Sequence, residues 1–314
     1  MKKRLFILLA LLILGIYLFL FMGLNPQSYQ YALSRRIPKV LDMLITGASI
    51  AYASLSFQTV TENRILTPSV LGLDAVFIFL QTLMTFFLGS TILAGIGKQV
   101  SFLGMVLIMV IFSVGILGTL LKKLSGNIYL LLLVGIISGT LFRSGSSFLQ
   151  VIIDPNEFLI LQGKLFASFN NIDTEVLLMG SILLIVSLAF GMTNLSDMDV
   201  LTLGRDQAIN LGVSYQKLVD KSLFIGAILI SVSTALVGPI TFLGILVTNL
   251  SRELLKTYKH KELFLGATLV SGIALIYGQL LVERVFTFSA PISVLINFVG
   301  GAYFIYLLLK ESKL

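Results

Sequence analysis

SLFIGAILISVSTALVGPITFLGILVTN, residues 222–249, decides the fold of this chain. The segment carries no charge and has Gly238-Pro239 just past its middle. A helix needs about 20 apolar residues to cross a membrane, and proline removes a ladder hydrogen bond and clashes with the turn before it. The segment is therefore either one long tilted helix or two short ones broken at Gly238-Pro239. Each half would have ~14 residues, or ~21 Å at 1.5 Å per residue, short of a ~30 Å hydrocarbon core. Half-helices of that kind survive where protein or a water-filled cavity surrounds the break. That expectation puts Gly238-Pro239 inside a bundle, towards its outer side.

The charges elsewhere arbitrate between one helix and two. Apolar runs recur at 5–24, 40–60, 70–89, 100–121, 128–149, 176–193, 263–282 and 291–309. With residues 222–249 as two helices the total is ten spans. The cytoplasmic side then holds Lys2, Lys3, Arg4, Arg64, Lys122, Lys123, Arg205, Lys217, Lys221, Arg252, Lys256, Lys259, Lys261, Lys310 and Lys313, 15 of the 22 basic residues. With one helix everything after it flips, and the inside count falls to 10 against 12 outside. Lys and Arg favour the cytoplasmic loops, so ten spans with both termini inside is the expected topology.

Composition agrees. The chain is 57% hydrophobic and 12% charged, with mean hydropathy +1.00, against roughly 25% charged residues in a soluble domain. The reading is all-α: one polytopic transmembrane bundle over residues 1–314, in the cell membrane. There is no cysteine, which excludes disulfides and thiolate chemistry. The charge-free run after Met1-Lys2-Lys3-Arg4 extends to Ser34. It is too long for a signal peptide and reads as a retained first span. In the loop from Gln150 to Glu175, Asp154-Pro155-Asn156-Glu157 signals the start of a short helix lying along the membrane.

Residues 197–222, DMDVLTLGRDQAINLGVSYQKLVDKS, hold seven charges, while the 21 residues before them hold none. A polar segment of helical period between apolar walls lies at the membrane surface, here on the cytoplasmic side, and faces something soluble. Catalytic chemistry is nearly absent. The single histidine, His260, falls in a basic loop and is expected to be solvated, and no nucleophile has an evident base. Gly97-Lys98 lacks the spacing of a phosphate loop, so ATP hydrolysis would need a separate subunit. No cofactor or metal site is expected in the chain, and nothing points to nucleic acid.

Two ionisable residues lie in apolar surroundings, where a charge costs at least ~2.5–3.5 kcal/mol at the bilayer centre. Arg143 is read either as a contact for an anionic substrate or as a snorkelling side chain. Asp74 is read as a cap or a buried pair. Arg36, Lys39 and Arg284 sit at the outer mouths of spans, against the usual charge bias.

These residues resemble a known family, the FecCD-type iron-chelate permeases of bacterial ABC importers, which include the vitamin B12 permeases. The resemblance covers nearly the whole chain. Its carriers are Arg36-Ile37-Pro38-Lys39, Gly47-Ala48, Gln58, Asn63-Arg64-Ile65, Pro68 and Gly72. They continue with Gly204, Ala208 and Leu211-Gly212-Val213, and then Gly238-Pro239-Ile240-Thr241-Phe242-Leu243-Gly244 and Arg252. The chain departs from the pattern at Arg64, where a proline is usual, at Lys39, where the family has arginine, and at Thr248-Asn249 in place of Pro-His. The finer pattern of residues 153–171 and 247–253 is most similar to permeases of the ferric petrobactin and anguibactin type.

The resemblance implies a permease moving a ferric siderophore inward by ATP-driven alternating access. It implies that Arg36, Lys39 and Arg284 dock a substrate-binding lipoprotein. It implies that the loop of about residues 195–222 meets an ABC ATPase through Gly204, Arg205, Ala208, Leu211, Gly212 and Val213. Asn63 and Ile65, with Ser125 and Asn127, would form the inner gate, and Arg143 would face the substrate path. ATP is used by the partner, and a second permease, identical or paralogous, completes the path. The alternative is an ion-coupled secondary transporter using Asp74 and Arg143, with the Gly238-Pro239 break as a discontinuous helix.

Overall fold

The computed structural model describes residues 2–24, 29–123, 128–170 and 173–311. These residues form helices and connecting turns with no strand among them. In chain order the helices are α1 (Lys2–Phe21), α2 (Tyr29–Val60), a single π-helical turn (Ser69–Leu73), α3 (Asp74–Gly95), α4 (Lys98–Lys123), α5 (Ile128–Ile152) and α6 (Pro155–Leu165). They continue with α7 (Thr174–Met192), α8 (Leu195–Leu201), α9 (Arg205–Asn210), α10 (Tyr215–Val237), α11 (Leu243–Leu255), α12 (His260–Arg284) and α13 (Ile292–Glu311). Eight helices among the described residues are long and apolar enough to cross a membrane. Beside them stand α5, with 25 residues, and the 13-residue α11.

The bundle is built around α2. From Val40 to Val60 nearly every side chain of this helix is buried, so its sequence is apolar and small on all sides rather than striped. Gly47, Ala48, Ser49, Ala51, Ala53, Ser54 and Ser56 let α7, α10, α11 and α12 approach closely, as small residues do in membrane bundles. A Cβ on Gly47 would stand 2.6 Å from Ser271 Oγ of α12. Tyr52, fully buried, donates to the Gly191 carbonyl of α7 at 2.8 Å. By contrast α1 buries only Leu8, Leu12, Gly15 and Phe19, a seam of three- and four-residue spacing. Its Gly15 lies under the ring of Tyr277 on α12, and its Leu12 lies against Gly272.

The break at Gly238-Pro239 is present. Helix α10 stops at Val237, Gly238 has φ +95°, and α11 begins at Leu243. Gly238 and Pro239 are buried, with protein as the wall: a Cβ on Gly238 would meet Ala167 Cα at 2.8 Å, and the Ser168 amide donates to the freed Val237 carbonyl at 2.8 Å. The two halves are unequal, contrary to expectation. Helix α10 has 23 residues because the polar turn at Tyr215–Lys221 is helical and continues into the apolar run. Only α11, with 13 residues, is a half-length helix.

A second discontinuity lies just before α3. Gly72, φ +101°, sits inside the π-turn, and its Cα face packs on the backbone of Gly139 in α5. Helix α6 starts where the Asp-Pro-Asn-Glu signal put it, with Asp154 accepting from the Asn156 amide at 2.8 Å. Its Glu157 takes the Ser90 amide and hydroxyl, both at 2.8 Å, just after a kink at Gly89 (φ +70°).

Candidate functional site

At the end of the bundle that carries α8 and α9, the charged stretch resolves into two short helices rather than one. Gly204, φ +98°, separates them, and Gly212, φ +89°, turns the chain into α10. Both are left-handed positions that glycine occupies without strain. Ala208 is fully buried and seats α9 on the bundle, while the guanidinium of Arg205 lies 5.0 Å over the ring of Tyr215. The tips face outwards: Leu203, Ile209 and Leu211 are 59%, 47% and 63% exposed. Exposed apolar side chains beside charged residues, around two glycine turns, mark a candidate interaction surface. Val213 is half-buried beside it.

Residues 61–67, between α2 and the π-turn, fold back against the bundle. Asn63 Oδ1 accepts from the Ile65 amide at 2.9 Å, an Asx turn, and the Asn63 amide donates to the Gln58 carbonyl at 3.0 Å. Glu62 has φ +50°. The Arg64 carbonyl receives Gln58 Nε2 at 2.7 Å and Asn249 Nδ2 at 3.0 Å, and Gln58 also reaches Thr248 Oγ1 at 2.9 Å. Asn63 and Ile65 are half-buried, and Leu66 and Thr67 are buried. Ser125 and Asn127 lie outside the described residues. Thr248 and Asn249, two of the departures from the family pattern, thus hold this loop to α11, Thr248 through Gln58 and Asn249 directly. The sequence marked them only as departures from Pro-His and gave them no role, although an amide and a hydroxyl inside a charge-free run were a visible signal.

At the opposite end Arg36, Lys39 and Arg284, the three basic residues expected at the outer mouth, lie close together. Arg36 Nη1 donates to the carbonyls of Phe19, Leu20 and Met22, and Arg284 Nη2 reaches the same Met22 carbonyl at 2.5 Å. Both arginines therefore cap the last turn of α1, whose end carbonyls lack helical partners. Lys39 turns inward, 2.8 Å from Asn170 Oδ1 and 3.3 Å from Glu283 Oε1. Lys98 pairs with Asp173 at 2.8 Å on the same side, which holds the Asp173 carboxyl below the usual carboxylate range.

Asp74 is buried at the start of α3, where Thr241 Oγ1 donates to its Oδ2 at 2.5 Å. It thereby clips the π-turn kink to the loop between α10 and α11, so the two broken elements are tied to each other. Arg143 is exposed on α5, one turn beyond Gly139. A third intramembrane ionisable residue escaped the sequence reading. Asp42 in α2 is 1% exposed, with Thr46 Oγ1 donating to its Oδ1 at 3.0 Å. His260 is a correction: rather than solvated, it is fully buried, with its amide and both ring nitrogens engaged. Among the described residues no group of three His, Cys, Asp or Glu could hold a metal ion.

A helical bundle with two interrupted spans, a loop folded back between them and a hinged apolar tip at one end defines a polytopic transport permease. The FecCD transport family profile matches residues 5–310, and the chain belongs to that family. It is 50% identical over 313 residues to the petrobactin import system permease protein YclO of Bacillus subtilis, covering 100% of this chain and 98% of the relative. It is 36% identical to the petrobactin import system permease protein FatC of Bacillus anthracis, covering 93% of this chain and 82% of that one. Among solved structures it matches a metal-chelate type ABC transporter in an inward-facing conformation, with TM-score 0.81, 25% identity and coverage of 98% and 99%.

Proposed function

We propose that residues 1–314 form one permease unit of an ABC importer that carries a ferric siderophore of the petrobactin class across the cell membrane. The observation that carries this reading is half-identity along the entire chain to a petrobactin permease. Both termini face the cytoplasm, as the basic residues require. The α8–α9 segment receives an ABC ATPase through Leu203, Ile209 and Leu211, hinged at Gly204 and Gly212 and backed by Arg205, Ala208 and Val213. ATP is bound and hydrolysed there, in the partner, and the permease itself carries no cofactor.

The 61–67 loop, through Asn63 and Ile65, serves as the inner gate, with Ser125 and Asn127 as its counterpart. A second permease, identical or paralogous, faces this one, and the exposed Arg143 meets an anionic chelate in the path between them. A substrate-binding lipoprotein docks on the opposite end. Arg36 and Arg284 spend part of their donors on α1, but a guanidinium has five, which leaves some for carboxylates of the partner. Lys39, paired with Glu283, contributes through that pair. The machine works by alternating access, with ATP driving the exchange of open gates. Copurification from native membranes, read by mass spectrometry, tests this assembly. An ATPase, a second permease and a lipoprotein are expected with the chain, and their absence would overturn the proposal.

A further inference from the structure

The single histidine of the chain occupies a junction that the transport reading leaves without a role. Three elements meet there, and His260 is fully buried between them. Asp199 of α8 accepts through the same oxygen, Oδ1, from the His260 amide at 2.6 Å and stands 2.7 Å from His260 Nδ1. On the other side of the ring, Nε2 lies 2.7 Å from Thr59 Oγ1 in the last turn of α2. A carboxylate only accepts, so Nδ1 carries a proton towards Asp199. The Thr59 hydroxyl has one hydrogen and two acceptors in reach, Nε2 and the Leu55 carbonyl at 2.9 Å.

The placement matters more than the bonds. Asp199 belongs to the short helix that precedes the Gly204 hinge and the exposed tip of α9. Thr59 stands two residues before the 61–67 loop and next to Gln58, whose amide holds the Arg64 carbonyl. Met198 of α8 also takes Ser56 Oγ one turn earlier on α2, at 3.7 Å. Helix α8 is thus fastened to the final turns of α2 at two successive points, one direct and one through the imidazole. Asp199 also supplies an acceptor at the first turn of α12, where the amides lack helical partners. Hydrogen bonds to an ionised carboxylate are short and strong, and this chain of contacts joins α8 to the turn of α2 from which the loop departs.

We propose that His260 is a positioning residue for transport, which transmits movement of the ATPase-docking segment to the inner gate through Asp199 and Thr59. The inference rests on the permease reading above. It takes His260 to be neither a substrate contact nor a cap alone, and two variants separate these roles. His260→Asn keeps a donor within reach of Asp199 but does not span to Thr59. Thr59→Val leaves the His260–Asp199 pair intact and removes the hydroxyl that meets His260 Nε2, together with its bond to the Leu55 carbonyl within α2.

The test uses the complete importer in proteoliposomes, with binding protein and ferric petrobactin supplied. ATP hydrolysis and chelate uptake are measured on the same preparation. Both variants should keep binding-protein-stimulated hydrolysis within about twofold of wild type, while uptake per ATP falls about tenfold, inside the 5–150-fold range of site-to-site coupling. The double variant should fall no further than either single one, because the two act on one chain of contacts.

The movement itself is read by pulsed EPR. The chain has no cysteine, so Asp197→Cys on α8 and Arg64→Cys are the only labelling sites once cysteines of the partner subunits are replaced. In wild type both label positions should shift on ATP binding. In Thr59→Val the Asp197 label should still shift and the Arg64 label should not. Unchanged uptake per ATP, or an unimpaired Arg64 shift in both variants, would overturn the inference. Hydrolysis and uptake falling in parallel would also overturn it and make His260 a docking or folding residue. A wild-type importer with no ATP-driven uptake would instead remove the transport reading, and the inference with it.

Discussion

At the scale of the residue, the loop at 61–67 is tied to α11 through one carbonyl. Arg64 C=O takes both a Gln58 and an Asn249 amide, and loss of one buried partner costs about 1–3 kcal/mol. In Asn249→Leu, hydrogen exchange of the 61–67 amides should accelerate about tenfold for each ~1.4 kcal/mol of lost protection. Exchange at the wild-type rate would assign the loop's order to Gln58 alone. The sequence pointed to Gln58, Asn63 and Ile65 through their order along the chain, but not to Thr248 and Asn249, whose departure from the family pattern hid their use. His260 was the hardest to read. Its neighbours Lys259 and Lys261 describe a solvated loop, and its burial is set by Asp199, 61 positions away. Asp42 was obscured for a related reason, since one carboxylate near the end of an apolar run looks like a flank until the helix around it is seen to be enclosed.

At the scale of the element, the two interruptions have different legibility. Gly238-Pro239 announces a break because neither residue continues a helix well, and the structure breaks there. The length of α10 was not legible, since Lys217, Asp220 and Lys221 read as loop when hydropathy alone sets the boundary. The kink at Gly72 was visible only as a glycine. Its role comes from α5, where Gly139 lies so near that an added Cβ would sit 3.0 Å from the neighbouring Cα. Gly72→Ala adds that overlap to a left-handed φ, at about 1–2 kcal/mol for the backbone and about 1–3 kcal/mol for the packing. Its melting temperature in detergent should fall by several degrees. Gly104→Ala, with nothing within 4 Å of the added methyl, should leave it unchanged or slightly raised. Equal melting of the two variants would mean that α3 and α5 separate without cost.

At the scale of the whole molecule, the proposal makes the bundle a coupling device with a partner at each end. Charge placement along the chain implied the ten-span topology, and the structure adds what topology cannot, namely which side chains are free to meet a partner. Leu211, 63% exposed at the tip beyond α9, should be one of them. Leu211→Glu should reduce recovery of the ATPase with the permease at least severalfold, because an unpaired charge is costly in an apolar contact. Undiminished recovery would move the docking surface elsewhere. The central claim is that transport is driven by ATP through a partner rather than by an ion gradient through Asp74 and Arg143. The most direct measurement is uptake of a ferric catecholate siderophore in intact cells, with the partner ATPase inactivated in one arm and a proton uncoupler added at maintained ATP in the other. Uptake should vanish in the first arm and persist in the second. Uptake that survives loss of the ATPase and collapses with the uncoupler would contradict the account.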